Sequence, residues 1–146
     1  MKKIISLLVL TILGLQLATA GEVITQDVTK LPKKSQSFIK EHFEGVEILQ
    51  IKIDSKWYGS KEYDVYFNNG GKIEFNGDGT WQDIDFKQNK VPNSVVPKKI
   101  LNYVTDKFPQ NHISQIEKEK KGYDVELNND MNLKFNLTGD FLRLDD

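Results

Sequence analysis

The sequence contains no cysteine and only two histidines among its 146 residues. Without cysteine the chain can form no disulfide, no thiolate-bound metal site and no thiol nucleophile. The histidines align with charged residues of a sequence repeat described below, His42 with Lys107 and His112 with Glu47, so both are expected to be solvated. No close spacing of histidines points to zinc, which needs several converging ligands. We therefore predict no cofactor, no metal site and no catalytic residue, and expect that the protein is not an enzyme.

Long apolar runs are absent except at the start of the chain. Lys2-Lys3 precede an apolar run from Ile4 to Leu17, and Ala18-Thr19-Ala20 then gives the small-x-small pattern of a signal-peptidase site. The run is too short and too often interrupted by polar residues to span about 30 Å of hydrocarbon. We predict a signal peptide over residues 1–20, cleavage after Ala20, and a periplasmic or secreted protein without a stable membrane anchor. Residues 21–146 are expected to form one domain.

An excess of positive charge is also absent. Removing the two signal lysines leaves 18 basic against 21 acidic residues, a net charge of −3. Nucleic-acid binding requires a basic surface, so no nucleic-acid partner is expected.

One stretch of the sequence occurs twice. Tyr63-Asp64-Val65-Tyr66-Phe67-Asn68-Asn69 recurs 60 residues later as Tyr123-Asp124-Val125-Glu126-Leu127-Asn128-Asn129. Further back, Leu31-Pro32-Lys33-Lys34 recurs 65 residues later as Val96-Pro97-Lys98-Lys99. The two offsets differ because the first copy has extra residues around Trp57 and Tyr58. The sequence therefore predicts two tandem repeats, over about 31–86 and 96–145.

Each repeat has a helical pattern followed by strand patterns. Apolar residues at 3.6-residue spacing predict helices between Pro32 and Phe43 and between Val96 and Phe108. Four segments with alternating apolar residues follow each helix, separated by Asn- and Gly-rich turns. Residues 21–30 show no clear period and are interpreted as a lead-in with a short edge strand. We predict an α+β fold with two helix–four-strand meanders, one antiparallel sheet of about eight strands, and both helices on one face.

The doubled helix and meander, the Pro-Lys-Lys helix starts, the Tyr-Asp-Val strands and the Asn76-Gly77-Asp78-Gly79 turn resemble the PepSY-like family, which is related in fold to β-lactamase inhibitor proteins. The resemblance covers nearly all of residues 21–146. It implies the fold, a periplasmic location and the binding or inhibition of other proteins. The resemblance carries no catalytic residue to this chain. The chain also differs from the disulfide-containing inhibitors because it lacks cysteine.

The same Asn-Gly-Asp-Gly turn and the many carboxylates have two interpretations each. Residues 76–80 hint at a calcium loop, but Lys87 stands where such a loop requires glutamate, and a hairpin turn explains the residues fully. Carboxylates on the predicted polar side of the sheet fit either an acid–base pair or a solvated surface, and a solvated surface is favoured because basic residues are interspersed among them. Such a weakly acidic surface also fits a cationic ligand. These carboxylates are Asp64, Glu74, Asp83, Asp85, Asp124, Glu126 and Asp145.

The aromatic residues give the candidate binding site. Trp57 and Tyr58 lie in the extra residues of the first copy, so the repeated fold does not require them. Tyr66 and Trp81 point to the polar side of their strands if strict alternation holds, and Phe141 repeats the position of Trp81, which predicts an aromatic ridge. Aromatic side chains are common anchors in protein interfaces. Trp57, Tyr58, Tyr66 and Trp81 are therefore the candidate partner-binding residues.

These features predict an exported, non-enzymatic binding module, an inhibitor of or adaptor for another envelope protein or peptide. Two alternatives stay open. One is a small-molecule or lipid carrier with a pocket between sheet and helices, and the other is an enzyme with a carboxylate pair on the sheet. The sequence does not identify the partner or the oligomeric state.

Overall fold

The computed structural model describes residues 21–145, so the predicted signal peptide lies outside the described residues. These residues form nine strands, two α-helices, and short 3-10 helices at Val28–Lys30 and Asn93–Val95. In chain order, the strands and α-helices are β1 (Glu22–Thr25), α1 (Lys33–His42), β2 (Ile48–Ser55), β3 (Lys61–Phe67), β4 (Lys72–Asn76), β5 (Trp81–Asp85), α2 (Lys98–Lys107), β6 (Ile113–Glu119), β7 (Gly122–Leu127), β8 (Asn132–Asn136) and β9 (Phe141–Asp145).

All nine strands belong to one antiparallel sheet, and each strand pairs with the next one along the chain. The fold class is therefore α+β, as predicted. The sheet has nine strands because the lead-in also contributes one: Val23 of β1 lies opposite Ile53 of β2, and Thr25 lies opposite Ile51.

The two faces of the sheet differ in burial. On the face that we name the buried face, seven side chains directly opposite one another are fully shielded from solvent: Ile51, Val65, Ile73, Ile84, Ile116, Val125 and Leu133. Each such side chain stabilises the fold by about 1.5–3 kcal/mol relative to an exposed one. Intervening residues such as Lys52, Asp64 and Glu74 point the other way and form the polar face, as the alternation in the sequence predicts.

Each helix begins after a proline, Pro32 for α1 and Pro97 for α2. Proline suits this position because its missing N–H is not needed by the first helical turn. In α1, Phe38 packs edge-on against Phe75 of β4, with 5.9 Å between the ring centroids. In α2, Tyr103 packs edge-on against Phe135 of β8 at 5.5 Å. Aromatic contacts therefore connect both helices to strands of the sheet.

The phenylalanines that follow the helices differ in burial. Phe43 is 3% exposed and stacks on Phe67 with the ring centroids 5.4 Å apart. Phe108, which follows α2 as Phe43 follows α1, is only partly buried. Its ring lies 6.4 Å from Tyr103. The two side chains therefore do not contribute equally to the core.

The Asn76-Gly77-Asp78-Gly79 segment is the hairpin turn between β4 and β5. The Gly79 N–H donates to the Asn76 carbonyl oxygen at 2.9 Å, and Gly79 has a φ of 85°, which suits glycine. The Asp78 carboxylate accepts hydrogen bonds from the Thr80 N–H at 3.0 Å and the Thr80 hydroxyl at 2.6 Å. The carboxylate thus stabilises the turn itself.

Two irregularities in strand pairing change which face a residue occupies. The register shifts between Glu74 and Phe75 in the β4–β5 pair and between Lys134 and Phe135 in the β8–β9 pair. Each shift adds one residue to the strand opposite, so Trp81 pairs with Phe75, and Phe141 pairs with Phe135. Both residues therefore join the buried face.

Among residues 21–145, no helix has the length and apolar character needed to cross a membrane.

Candidate binding surface

The tip of the β2–β3 hairpin, residues 56–60, carries two exposed aromatic side chains. Backbone hydrogen bonds close the turn, from the Lys56 N–H to the Ser60 carbonyl at 2.8 Å and from the Gly59 N–H to the Lys56 carbonyl at 3.0 Å. Trp57 is 95% exposed and Tyr58 is 62% exposed. Their rings meet edge-to-face with centroids 5.5 Å apart. An indole so exposed adds little to the core and is accessible to another molecule.

Tyr66 lies on the polar face, as expected, but it is distant from the hairpin tip. It pairs with Gln50 and Lys72, and the Lys72 ammonium lies 5.9 Å from the centre of its ring, a cation–π geometry. Tyr66 is about five residues along β3 from Lys61, hence roughly 17 Å from the end of the tip at about 3.4 Å per residue. It does not extend the Trp57–Tyr58 surface.

The predicted orientation of Trp81 is wrong. The irregular pairing of β4 with β5 places its indole on the buried face, where it packs against the core with its ring centroid 6.5 Å from that of Tyr123. Phe141 is also turned inward and stacks on Tyr103 with the centroids 4.6 Å apart. The predicted aromatic ridge on the polar face is therefore not present in residues 21–145. The structure brings together Trp57 and Tyr58, but not Tyr66 and Trp81.

The histidines contact neighbouring polar groups. The side chain of His42 is only 16% exposed, and its Nδ1 lies 3.0 Å from the Ser94 hydroxyl. The expectation that it is solvated is therefore wrong, because the ring packs against Phe38 with the centroids 4.7 Å apart. The Nε2 atom of His112 lies 3.0 Å from the Gln88 carbonyl oxygen. The Nε2 atom of His42 lies 3.9 Å from the Glu41 carboxylate, which is too long for the hydrogen bond that orients the histidine of a catalytic triad.

Five carboxylates form a continuous line across the centre of the polar face. Each lies directly opposite the next on five adjacent strands, β3 to β7: Asp64, Glu74, Asp83, Glu117 and Asp124. We name this line the acidic row. Like charges directly opposite one another are destabilising, and adjacent strands are only about 4.8 Å apart. Lys52 and Lys134 lie opposite its two ends, and Lys72 forms an ion pair with Glu74 along β4, so Asp83 and Glu117 are the members without an opposite charge directly across the strands.

Asp83, at the centre of the acidic row, is 8% exposed. Burial raises the pKa of its carboxyl to about 6, and the neighbouring Glu74 and Glu117 add to this, whereas a 2.9 Å hydrogen bond from the Gln115 side chain acts in the opposite direction. Burial also raises the pKa of Asp64 and of Glu117. The polar face is thus less solvated than the sequence predicts.

Sequence reasoning missed two members of this arrangement. Glu117 was not among the predicted polar-face carboxylates, and Asp83 was expected to be solvated. Both depend on the pairing of β5 with β6, which sets Asp83 opposite Glu117. The repeat offset contained a usable signal, because it aligns Glu117 with Lys52, a polar-face residue.

A shallow hollow of about 340 Å³ lies on the polar face beside the hairpin tip. Glu62, near the start of β3, connects the two, since Lys56 in the tip forms an ion pair with it at 3.1 Å. The hollow is lined mainly by acidic and amide side chains: Glu62, Asp64, Glu74, Asn76, Gln82 and Glu117, together with Phe75. Its chemistry favours a cationic group.

A second hollow lies between α1 and the β4–β5 hairpin. Phe38, Trp81 and the aliphatic parts of Lys34 and Lys118 line it, and its volume is about 240 Å³. This volume is below the roughly 300–1,000 Å³ of ordinary ligand pockets. It lies between sheet and helix, where the small-molecule carrier would need its pocket.

Carboxylate oxygens of Glu117, Glu119 and Asp124 approach within 4.8 Å of one another. The Lys134 ammonium already contacts two of them, Glu119 at 3.1 Å and Asp124 at shorter range. The other oxygen of Asp124 is buried without a hydrogen-bond partner. The group is therefore an ion-paired cluster in which a lysine supplies the positive charge.

Similarity to known proteins agrees with this fold. A family described as "Putative beta-lactamase-inhibitor-like, PepSY-like" matches residues 61–143. The chain belongs to the PepSY-like family. The matched part of this PepSY-like chain runs from β3 to β9 and begins after Trp57 and Tyr58, so the hairpin tip lies outside it. No curated protein matches the chain.

Crystal structures of other proteins resemble the PepSY-like chain over most of its length. A "putative periplasmic protein of unknown function" from Bacteroides vulgatus is 35% identical, with a TM-score of 0.80 over 86% of this chain and 100% of its own. A second protein from that organism, of the DUF2874 family, is 33% identical, with a TM-score of 0.79 over 88% and 100%. A "putative calcium-regulated periplasmic protein" from Bacteroides thetaiotaomicron is 38% identical, with a TM-score of 0.77 over 82% and 94%.

Proposed function

We propose that this protein is an exported, non-enzymatic binding module that captures another envelope protein or peptide through the Trp57–Tyr58 hairpin tip. The main support for this proposal is that Trp57 is 95% exposed on a turn that is closed by backbone hydrogen bonds. The periplasmic descriptions of the similar structures and the signal-peptide pattern at residues 1–20 support an extracytoplasmic location.

The partner surface that fits best combines a pocket for an indole with lysine or arginine side chains. The hollow beside the tip is lined by carboxylates, and the acidic row continues from it across the polar face. A basic segment that binds there would supply charges opposite to these carboxylates. Electrostatic complementarity of this kind contributes mainly to specificity and to the association rate.

We also propose that residues 31–86 and 96–145 are two tandem units sharing one sheet, with both helices on the buried face. The repeated sequence, the same order of one helix and four strands, and the equivalent pairing shifts before Phe75 and Phe135 support this arrangement. The contacts of Phe38 with Phe75 and of Tyr103 with Phe135 support a common face for the helices.

The two alternatives have less support. A carrier would need more room than the 240 Å³ hollow beside Phe38 and Trp81 provides. A carboxylate-pair enzyme is favoured only by the raised pKa values of Asp64, Asp83 and Glu117, and burial within a row of like charges accounts for these shifts.

The calcium regulation named for one relative has little support among the carboxylates of this chain. Calcium prefers about six to eight oxygen ligands, whereas Glu117, Glu119 and Asp124 form the only such acidic group detected within residues 21–145. Lys134 already neutralises two of these carboxylates, so a calcium ion would have to displace it.

Site-specific photocrosslinking tests the proposed function. A photoreactive phenylalanine analogue replaces Tyr58, with Trp57 intact, and the protein is irradiated in living cells. We expect one discrete adduct with an envelope protein. The protein identified in the adduct, once purified, should bind the wild type at least about 30-fold more tightly than it binds the Trp57→Ala variant. This ratio corresponds to the roughly 2 kcal/mol of an interface hot spot.

The β6–β7 hairpin provides the matched control. The same analogue at Lys121, in the turn that lacks the aromatic insertion, should give no such adduct. Thermal unfolding of Trp57→Ala should match that of the wild type, because the indole is exposed. Equal crosslinking from both hairpins, or a large loss of stability with unchanged affinity, would contradict the assignment.

A further inference from the structure

The outer edge of β9 has no neighbouring strand within residues 21–145. In the proposed repeat, on which this inference rests, β5 is the counterpart of β9, and β5 is covered by β6. The effect on burial is large. Ile84 of β5 is fully buried, but its counterpart Leu144 is 50% exposed. β9 therefore leaves exposed an apolar position that is covered at the equivalent place in the first unit.

Leu144 is flanked by two residues of opposite charge. Arg143 precedes it, Asp145 follows it, and both point to the polar face, opposite Lys134 and Asn132 of β8 respectively. Charged residues normally protect an edge strand from pairing. Here the two charges are of opposite sign, form an ion pair at 3.5 Å along β9, and are equidistant from Leu144. An antiparallel copy of the same strand would extend this pairing, because it would place arginine against aspartate at both positions.

We propose that β9 of two copies pairs antiparallel about Leu144, joining the two sheets into one. In this register Leu144 lies opposite Leu144 of the second copy on the buried face. Arg143 and Asp145 lie opposite the second copy's aspartate and arginine on the polar face. The twofold axis closes the contact, so the assembly stops at two chains.

Other antiparallel registers are less favourable. A shift by one residue places Arg143 opposite Leu144 and so mixes the two faces, which the pleat forbids. A shift by two residues in either direction places Arg143 against itself or Asp145 against itself, and like charges directly opposite are destabilising. β1, the other edge strand, has no basic residue to complement Glu22 in the same way.

The dimer has a consequence for the binding module. A twofold axis normal to the sheet keeps the two polar faces on the same side, and β9 is the strand farthest from the β2–β3 hairpins in sheet order. The two Trp57–Tyr58 tips would therefore lie toward opposite ends of the joined sheet. A dimer of this form can bind two sites of one partner at once.

A single cysteine tests the register directly, because the natural chain contains none. Leu144→Cys places two sulfhydryls opposite one another across the axis, where antiparallel Cβ atoms are about 4.5–5.5 Å apart. Leu137→Cys is the control, since Leu137 is 57% exposed but lies outside β9. Under mild oxidation we expect at least tenfold more disulfide-linked dimer from Leu144→Cys. Equal yields would overturn the proposal.

A charge-exchange series tests the same interface without a crosslink. Sedimentation of the wild type from about 10 µM to about 1 mM should show reversible dimerisation, the range expected for a small interface. Arg143→Asp or Asp145→Arg alone should weaken dimerisation at least tenfold, and the double exchange should restore it. Circular dichroism identifies variants that fail to fold. A monomeric wild type, or a double variant no better than the single ones, would overturn the proposal, and neither result bears on Trp57.

Discussion

Replacing Asp83 by asparagine should stabilise the protein at neutral pH. Asp83 is 8% exposed and lies between Glu74 and Glu117 in the acidic row, so its ionised form is unfavourable in the folded state. Asparagine has nearly the same shape, cannot ionise, and keeps an oxygen that accepts the 2.9 Å hydrogen bond from Gln115. The substitution therefore removes the charge while preserving the packing.

The magnitude follows from the pKa of Asp83, which is raised from 3.8 to about 6. Between these values the folded state binds more protons than the unfolded state, so the free energy of unfolding falls as pH rises. A difference of about 2 pKa units at about 1.4 kcal/mol each predicts that about 3 kcal/mol is lost between pH 4 and pH 7. We expect Asp83→Asn to lack this fall and to exceed the wild type by about 2–3 kcal/mol at pH 7.5.

Urea unfolding at a series of pH values, followed by tryptophan fluorescence, measures this difference. With an m-value of about 1.5 kcal/mol/M, the urea midpoint of Asp83→Asn should be about 1.5 M higher at pH 7.5 and equal to that of the wild type near pH 4. Glu62→Gln, a polar-face carboxylate whose side chain is 54% exposed, should keep the wild-type fall. Parallel profiles for wild type and Asp83→Asn would refute the reasoning.

Two further predictions concern packing. Phe43→Ala should lower the free energy of unfolding by about 3–5 kcal/mol because the ring is 3% exposed. Phe108→Ala should lower it by less than half as much because that ring is only partly buried. Urea midpoints measure both losses, and equal losses would contradict the difference in burial. Gly122→Ala should lower the melting temperature by several degrees, because a Cβ there would lie 1.8 Å from the Phe135 carbonyl oxygen and β7 would have to shift. An unchanged melting temperature would contradict this close approach.

Local patterns in the sequence predicted most of the secondary structure. The apolar stripe of α2, the prolines before both helices and the alternation of residues such as Val65 and Phe67 depend only on neighbouring residues. The similar stretches at Tyr63–Asn69 and Tyr123–Asn129 presented the same strand pattern twice. An α+β class with an antiparallel sheet could therefore be read from the sequence, and so could the position of the extra residues at Trp57. That Trp57 binds a partner stays a prediction.

The parts that could not be predicted depend on pairing between strands. The orientation of Trp81 follows from an extra residue in the β4–β5 pair, and strict alternation has no means of including it. The burial of Asp83 follows from its position opposite Glu117, more than thirty residues away. Both errors concern the face or the neighbours of a side chain, which a one-dimensional pattern does not determine.

The order of the strands in the sheet also affects how the chain can fold. Each strand pairs only with its neighbours in the sequence, from β1 to β9. A chain that emerges N-terminus first, from a ribosome or a translocation channel, can therefore complete every pairing as soon as the next strand is released. No strand has to wait for a distant partner with its edge exposed, and short loop closures favour fast folding. The sheet can grow one strand at a time, at the rate at which the chain is delivered.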